Sequence, residues 1–151
     1  MEPKYYVPEI SEFYVGFEYE ELELLPRYDT HFKMKIKKNV FTEKLWQSGF
    51  LSWEFQDKLK ESKIRVKYLD ANDIEELGFT VVKTKGNSFE AVKKFNFTYD
   101  NYPSEGEYNI IVSGDKYCVI KLKDIGETTL FRGEIKNKNV LKQVLNMLNI
   151  K

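Results

Sequence analysis

The stretch YNIIVSGDKYCVIKL, residues 108–122, decides the fold that the sequence predicts. Two runs rich in β-branched and aromatic residues, 108–113 and 117–122, flank the dipeptide Gly114-Asp115. Glycine and aspartate tolerate the positive φ angles that a tight turn between antiparallel strands requires. The stretch therefore predicts a β-hairpin whose turn lies at residues 113–116.

The rest of the second half predicts further antiparallel strands around this hairpin. Alternating or apolar segments are separated by turn residues at Gly86-Asn87 and Ile125-Gly126, which is the pattern of consecutive strands. Residues 100–106 are expected to form a loop, and a short helix over 88–94 competes with a strand there. The predicted strands of this half are 79–85, 89–99, 108–113, 117–122 and 128–134.

The first half alternates as well. Strands are predicted over 13–20, 31–37 and 63–69, with a loop at 22–29 around Pro26. A hairpin of the first two strands would place Glu18 and Glu20 opposite the lysines of the second. Residues 41–61 are predicted to be broken and partly helical, and to cover the sheet.

Two helices have clear terminal signals. Asp70 is an expected N-cap, with Asp73 three residues later and Gly78 as the stop of a helix over 71–77. Asn137 or Asn139 is expected to cap a closing amphipathic helix. The sequence thus predicts a single α+β domain over 1–151, with mainly antiparallel sheet, a short middle helix and a C-terminal amphipathic helix.

The composition favours binding over catalysis. The chain has 11 Phe, 10 Tyr and 2 Trp, but only one His and one Cys. Lys+Arg (24) balance Asp+Glu (24), which disfavours nucleic acid as a partner. No apolar run approaches the roughly 18 residues of a membrane span, and no signal-peptide pattern is present. The single cysteine cannot form an internal disulfide, so a cytoplasmic location is expected. No cofactor is predicted.

The residues with chemical potential have weak patterns. The glutamates at 18, 20, 21 and 23 are a conceivable site for a hard cation, but an acidic solvent-facing edge is the favoured interpretation. Cys118 alternates with Ile120 and is expected in the core. An acid–base pair of His31 with Asp29 is a residual hypothesis. No catalytic or metal-ligating residue is therefore predicted.

Positive charge and loop tyrosines give the candidate binding site. A lysine stripe at 33, 35, 37 and 38 is either a solvent-facing strand surface or a surface for a phosphate. Tyrosines in the predicted loops around Tyr28 and Tyr99 suit interfaces and base stacking. The candidate ligand-binding residues are Arg27, Tyr28, Lys33, Tyr99 and Tyr102.

Several segments together resemble a known group of proteins. They are FYVGFEYE (13–20), IRVKYLD (64–70), IEELGF (74–79) and FRGEIKNK (131–138). This set is similar to small uncharacterised accessory proteins of tailed phages that infect Bacteroidetes-type bacteria. The resemblance implies a phage accessory protein in the host-cell cytoplasm.

Three hypotheses of function follow. The first is a non-enzymatic binding protein that counters host defence by capturing a host protein or a nucleotide-derived signal. The second is a structural or assembly protein of the phage, for which a homo-oligomer would be suitable. The third is a metal-dependent nucleotide hydrolase that uses Glu18, Glu20 and His31.

Overall fold

The computed structural model describes residues 4–26, 32–49, 53–114 and 116–151. They belong to two compact units, residues 1–68 and 69–151. Each unit contains one antiparallel sheet.

The first unit contains four strands and two α-helices. The strands are β1 (Tyr5–Tyr6), β2 (Glu18–Pro26), β3 (Phe32–Val40) and β4 (Ile64–Lys67), and the helices are α1 (Glu43–Gly49) and α2 (Trp53–Lys60). A short 3₁₀ helix, Ile10–Glu12, follows β1, and both α-helices precede β4. The strand order in the sheet is β1-β4-β2-β3.

Aromatic rings fill the core of the first unit. The Phe13 ring centroid lies 4.7 Å from that of Phe17 and 5.1 Å from that of Phe55 in α2. Phe55 and Leu59 place α2 against this core, so the broken helical segment predicted over 41–61 covers one face of the sheet. The buried members are Phe13, Phe17, Tyr19, Phe41, Ile64 and Val66.

Two predictions for the first unit are wrong in part. Residues 13–17 form a turn, since the Phe17 N–H donates to the Tyr14 carbonyl at 2.9 Å, and the strand begins only at Glu18. The alternation there comes from rings entering the core from a turn. Residues 22–26 belong to β2 and not to the predicted loop, and residues 27–29 lie outside the described part.

The predicted first hairpin is confirmed. In its register Glu20 faces Lys38, whereas Glu18 faces Val40. The expected pairing of a glutamate with a lysine across the two strands therefore holds for Glu20 and not for Glu18.

The sheet of the second unit is a meander in sequence order, as predicted. The predicted loop at 100–106 and the alternative helix at 88–94 are wrong, because two long strands pair there. Their pairing begins where Phe89 lies opposite Val112 and ends where Tyr99 lies opposite Tyr102. The elements are α3 (Ala71–Glu76), β5 (Thr80–Lys85), β6 (Ser88–Tyr99), β7 (Tyr102–Val112), β8 (Tyr117–Lys123), β9 (Glu127–Glu134) and α4 (Lys138–Met147).

The hairpin of residues 108–122 forms with a different turn from the expected one. Ser113 N–H donates to the Tyr117 carbonyl at 2.9 Å, and the positive φ (69°) belongs to Lys116 rather than to Gly114. Asp115 lies outside the described residues. The strands pair as predicted, so the error concerns the turn alone.

Both helix caps are confirmed. The Asp73 N–H donates to Asp70 Oδ1 and the Asp70 N–H donates to Asp73 Oδ2, each at 3.1 Å. Gly78 ends α3 with φ +82°, and the Val140 N–H donates to Asn137 Oδ1 at 3.0 Å at the start of α4. Such caps each stabilise a helix by about 1 kcal/mol.

The second core lies on one face of this sheet, where Ile110, Ile120 and Leu141 are fully buried. The α+β class with antiparallel sheet is thus confirmed, and the strands form two sheets. That residues 1–151 form a single domain stays a prediction. Within the described ranges, no helix is long and apolar enough to cross a membrane.

Candidate binding site on a projecting β-ribbon

Strands β6 and β7 continue beyond the strands that flank them. On one side β5 pairs with β6 only as far as Val92, and on the other β8 pairs with β7 only as far as Glu107. Past these points, residues 93–99 and 102–106 form a two-stranded ribbon without a further described strand at either edge. We call this part the aromatic ribbon.

A tight turn closes the aromatic ribbon. Asp100 and Asn101 have φ angles of 48° and 67°, and the directly paired Tyr99 and Tyr102 flank them. Two consecutive left-handed residues define the turn that matches the twist of antiparallel strands. Aspartate and asparagine adopt this conformation more readily than other non-glycine residues, which explains why the chain reverses here.

One face of the ribbon carries a row of aromatic side chains. The two-residue period of a strand puts every second residue of β6, with its partner on β7, on the same face. The Phe95 ring stacks on Tyr108 at a centroid distance of 4.7 Å and lies 5.9 Å from Phe97. We define the aromatic row as Phe95, Phe97, Tyr99, Tyr102 and Tyr108.

Exposure increases along the aromatic row towards the turn. Phe95, Phe97 and Tyr108 are half-buried, whereas Tyr99 and Tyr102 are 52% and 72% exposed. The row therefore extends from the core of the second unit into solvent.

A glycine shapes the middle of the aromatic row. Gly106 faces Phe95 across the ribbon, and a Cβ at position 106 would lie 2.5 Å from Phe95 Cζ. The ring therefore lies directly over the glycine backbone. Ser104, opposite Phe97, is also small. The small residues of β7 thus leave room for the rings of β6.

The opposite face of the ribbon and of the adjoining strands carries paired charges. Lys94 Nζ lies 3.3 Å from Glu105, and Lys123 Nζ lies 3.2 Å from Glu107. A hydrogen bond from Lys121 lowers the pKa of Glu127. The two faces of the ribbon thus differ in kind, one aromatic and one with compensated charges.

The two edges of the ribbon differ as well. Tyr99 and Tyr102 enclose a two-residue turn, so they form a pair that exchanges both backbone hydrogen bonds. Hydrogen-bonded and non-hydrogen-bonded pairs alternate along the ribbon, and in the latter the backbone N–H and C=O groups point away from the partner strand. On β6 the outward residues are Lys94, Asn96 and Thr98. On β7 one of them is Pro103, which has no N–H to offer.

A cation lies at the inner end of the aromatic row. Lys93 shares the face of Phe95 and donates from Nζ to the Leu77 carbonyl at 3.3 Å. Its ammonium is 5.3 Å from the Phe79 ring centroid. An ammonium has three donors, and in the described part of the chain Lys93 has no carboxylate partner.

The structure brings together two of the predicted site residues, Tyr99 and Tyr102. Arg27 and Tyr28 lie outside the described residues. Lys33 pairs with Leu25 through its backbone in β3, and its side chain is not part of the description. The prediction of these three residues as ligand-binding stays a prediction.

Sequence reasoning missed the other members of the row as site residues. Phe95, Phe97 and Tyr99 alternate in the sequence, and this pattern predicted a strand with one buried face. The signal for a surface would have been the continuation of that alternation into Tyr102 and Ser104. The incorrect loop at 100–106 concealed it.

Several described charged residues of the first unit lie opposite or bind residues of opposite charge. Lys35 faces Glu23 and Lys37 faces Glu21, and Lys58 Nζ from α2 is 2.6 Å from the Glu21 carboxylate. Arg65 binds Glu20 with N–O distances of 2.9 and 2.8 Å.

Of the other groups with chemical potential, Cys118 is buried, and Asp29 and His31 lie outside the described residues. No group of three or more His, Cys, Asp or Glu side chains with metal-ligand geometry is found in the described ranges. Cys118 is fully buried, as predicted, and burial raises the pKa of its thiol to about 12.

Comparisons with protein-family models, with curated proteins and with solved structures find no match to this chain.

Proposed function

We propose that this chain is a binding protein without a reaction of its own, which captures a protein partner through the aromatic row. The observation that carries the proposal is the position of Tyr99 and Tyr102. They are largely exposed, directly paired, and held at the tip of a ribbon that projects past its sheet.

Exposed tyrosines at such a position are suited to an interface. A tyrosine contributes a large contact area, up to roughly 150–250 Å², at a low cost in side-chain entropy. Tyrosine is also enriched among the few residues that supply most of the binding free energy of interfaces. The half-buried Phe95 and Phe97 continue the same face towards the core, so the partner would meet a continuous row of rings.

The biological setting of the proposal comes from the resemblance to phage accessory proteins. A protein of that kind would act in the cytoplasm of the infected cell as one domain, either alone or as a homo-oligomer. Its partner would be a host protein, and capture would counter a host defence.

A nucleotide-derived signal is the second candidate ligand. The exposed rings of Tyr99 and Tyr102 favour it, since aromatic side chains stack on nucleobases with about 1–3 kcal/mol per base. Arg27 and Lys33 are the residues proposed to supply positive charge. On the ribbon itself Lys94 is already paired with Glu105, and Lys93 lies at the inner end of the aromatic row, away from Tyr99 and Tyr102. This arrangement favours a protein partner.

The test is affinity capture from host lysate combined with native mass spectrometry. We compare the wild-type chain with the double variant Tyr99→Ala/Tyr102→Ala. The matched control is Tyr117→Ala, because Tyr117 is also exposed (41%) but precedes the buried Cys118 in β8 and therefore lies on the other face of the same sheet. The expected result is one partner protein bound by wild type and control, and at least tenfold less in the double variant.

Three results would contradict the proposal. Equal capture by the double variant would exclude the aromatic row as the site. A bound nucleotide released from wild type on denaturation would replace the protein partner with the second candidate. Failure of the wild type to retain any protein or small molecule would refute the binding function.

A further inference from the structure

We infer that the partner contributes an extended polypeptide segment, which adds as a strand to the outer edge of β6 at residues 93–99. This inference rests on the proposed function and specifies how the aromatic ribbon would be used. It concerns the edge of the ribbon, whose backbone groups the aromatic row does not engage.

The outer edge of β6 presents peptide groups at the spacing of a strand. The backbones of Lys94, Asn96 and Thr98 point away from β7, and all three residues are exposed. Unpaired donors and acceptors that recur at every second residue match those of another extended chain. A nucleotide or a helix surface does not offer that repeat.

An added strand would also reach the aromatic row. Neighbouring strands lie about 4.8 Å apart, and alternate side chains of the added strand point to the same face as the row. Every second residue of the segment would therefore contact Phe95, Phe97 or Tyr99. The hydrogen bonds would give affinity and the row would select apolar side chains.

Charge specifies one end of the segment. Lys93 lies where the outer edge meets β5, and it uses one donor for the Leu77 carbonyl without a described carboxylate beside it. A half-buried ammonium attracts an anion more strongly than a solvated one does. We therefore expect Asp, Glu or a terminal carboxylate on the segment near Lys93.

The size of the ribbon argues against a second copy of this chain as the occupant. Seven residues of strand span about 20 Å, so the aromatic face covers roughly a few hundred Å². A stable dimer buries about 800 Å² per partner. One strand of five to seven residues uses both the edge and the face and fits the available surface.

The experiment uses a display library of random twelve-residue peptides, selected on the intact wild-type chain. Peptides that bind wild type but not Tyr99→Ala/Tyr102→Ala are synthesised. We expect alternating apolar residues with an acidic residue at one end. Replacing that residue by its amide in the peptide should weaken binding about fivefold to tenfold.

Hydrogen exchange measured by NMR tests strand addition directly. In the free protein the amides of Lys94, Asn96 and Thr98 should exchange fast, while those of Phe95 and Phe97 are protected by pairing with β7. Bound peptide should slow the first three by at least tenfold.

A pair of variants at one position provides the matched control. Asn96→Pro removes one outward donor and keeps every bond to β7, whereas Asn96→Ala retains the donor. We expect Asn96→Pro to weaken peptide binding about tenfold, Asn96→Ala to change it less than twofold, and both to melt close to wild type.

The possible failures of this inference are distinguishable from those of the proposed function. Peptides that need Tyr99 and Tyr102 but leave the three outer amides unprotected would overturn strand addition and keep the binding function. Absence of any selected peptide would also overturn it, while capture of a folded partner would keep the function. Protection of the same amides in a wild-type dimer would replace the segment by a second copy.

Discussion

The aromatic ribbon and the β2–β3 hairpin both continue beyond a neighbouring strand, yet they display different side chains. In β2, backbone hydrogen bonds to β4 and to Lys63 just before it end at Leu22. On the other side of β2, β3 is the edge strand of the sheet. Beyond that point one face carries Leu24, Met34 and Ile36, and on the other Glu23 lies opposite Lys35. We call residues 22–26 and 32–36 the aliphatic ribbon.

The two ribbons differ most in how their apolar side chains are supported. On the aliphatic ribbon Leu24 is 60% exposed and Met34 is 53% exposed, and both are flexible chains. On the aromatic ribbon Phe95 stacks on Tyr108 and lies over Gly106. Rigid, stacked rings lose less entropy on binding than flexible chains, so the aromatic ribbon is the better prepared surface.

The lysines of β3 have a different consequence. Lys35 and Lys37 lie on the edge strand of their sheet. Charged side chains on an edge oppose the approach of another strand. The comparison indicates that lysines protect the edge of β3, whereas the edge of β6 carries Lys93 and Lys94 at its inner end and is uncharged from Phe95 to Tyr99.

The largest expected effect compares the same substitution on the two hairpins. Ile110→Ala in β7 should lower the free energy of unfolding by about 2–5 kcal/mol, because Ile110 is fully buried. Ile36→Ala in β3 should lower it by less than about 1 kcal/mol, since Ile36 is 47% exposed. Urea unfolding followed by circular dichroism measures both. Equal losses would show that the aliphatic face is a packed surface.

The second effect concerns the support of the aromatic row. Gly106→Ala places a Cβ against the Phe95 ring, which must move, and we expect a loss of about 1–3 kcal/mol in stability. Gly126→Ala is the control, because no atom lies within 4 Å of its added Cβ. If the two variants melt alike, the ring does not depend on the glycine.

The third effect isolates the turn of the aromatic ribbon. Asn101→Ala should destabilise the protein by about 1 kcal/mol, because alanine tolerates the φ of 67° less well than asparagine. Asn101→Gly should be neutral or stabilising. Thermal unfolding separates them, and a loss with glycine equal to that with alanine would mean that the Asn101 side chain, not its φ, is what matters.

The smallest effect concerns the polar face. Lys94→Ala breaks an ion pair whose side chains are 67% and 66% exposed, so the change should stay below about 0.5 kcal/mol. Lys35→Ala on the aliphatic ribbon should behave alike. A clearly larger loss for Lys94 that disappears in high salt would show that the polar face of the aromatic ribbon contributes to folding.

Local signals in the sequence account for the parts that were predicted correctly. The cap at Asp70, the stop at Gly78 and the meander of the second half depend on neighbouring residues only. The division into two sheets depends on which strands pair over long separations, and no local pattern contains that information.

The candidate site was found only in part because local turn signals extended the predicted loop too far. Asp100, Asn101, Pro103 and Gly106 together favoured a loop over 100–106. In the structure only Asp100 and Asn101 form the turn. Pro103 is tolerated because its missing donor would point outward, and Gly106 is covered by the Phe95 ring.

Pro103 also determines how far assembly on the ribbon can proceed. A ribbon with two receptive edges can take up one strand on each side and pass the pairing on from molecule to molecule, which is how fibrils grow. With a proline on the β7 edge, recruitment is one-sided. The aromatic ribbon would therefore accept one added strand, on the β6 edge, and would not pass strand pairing on to further molecules.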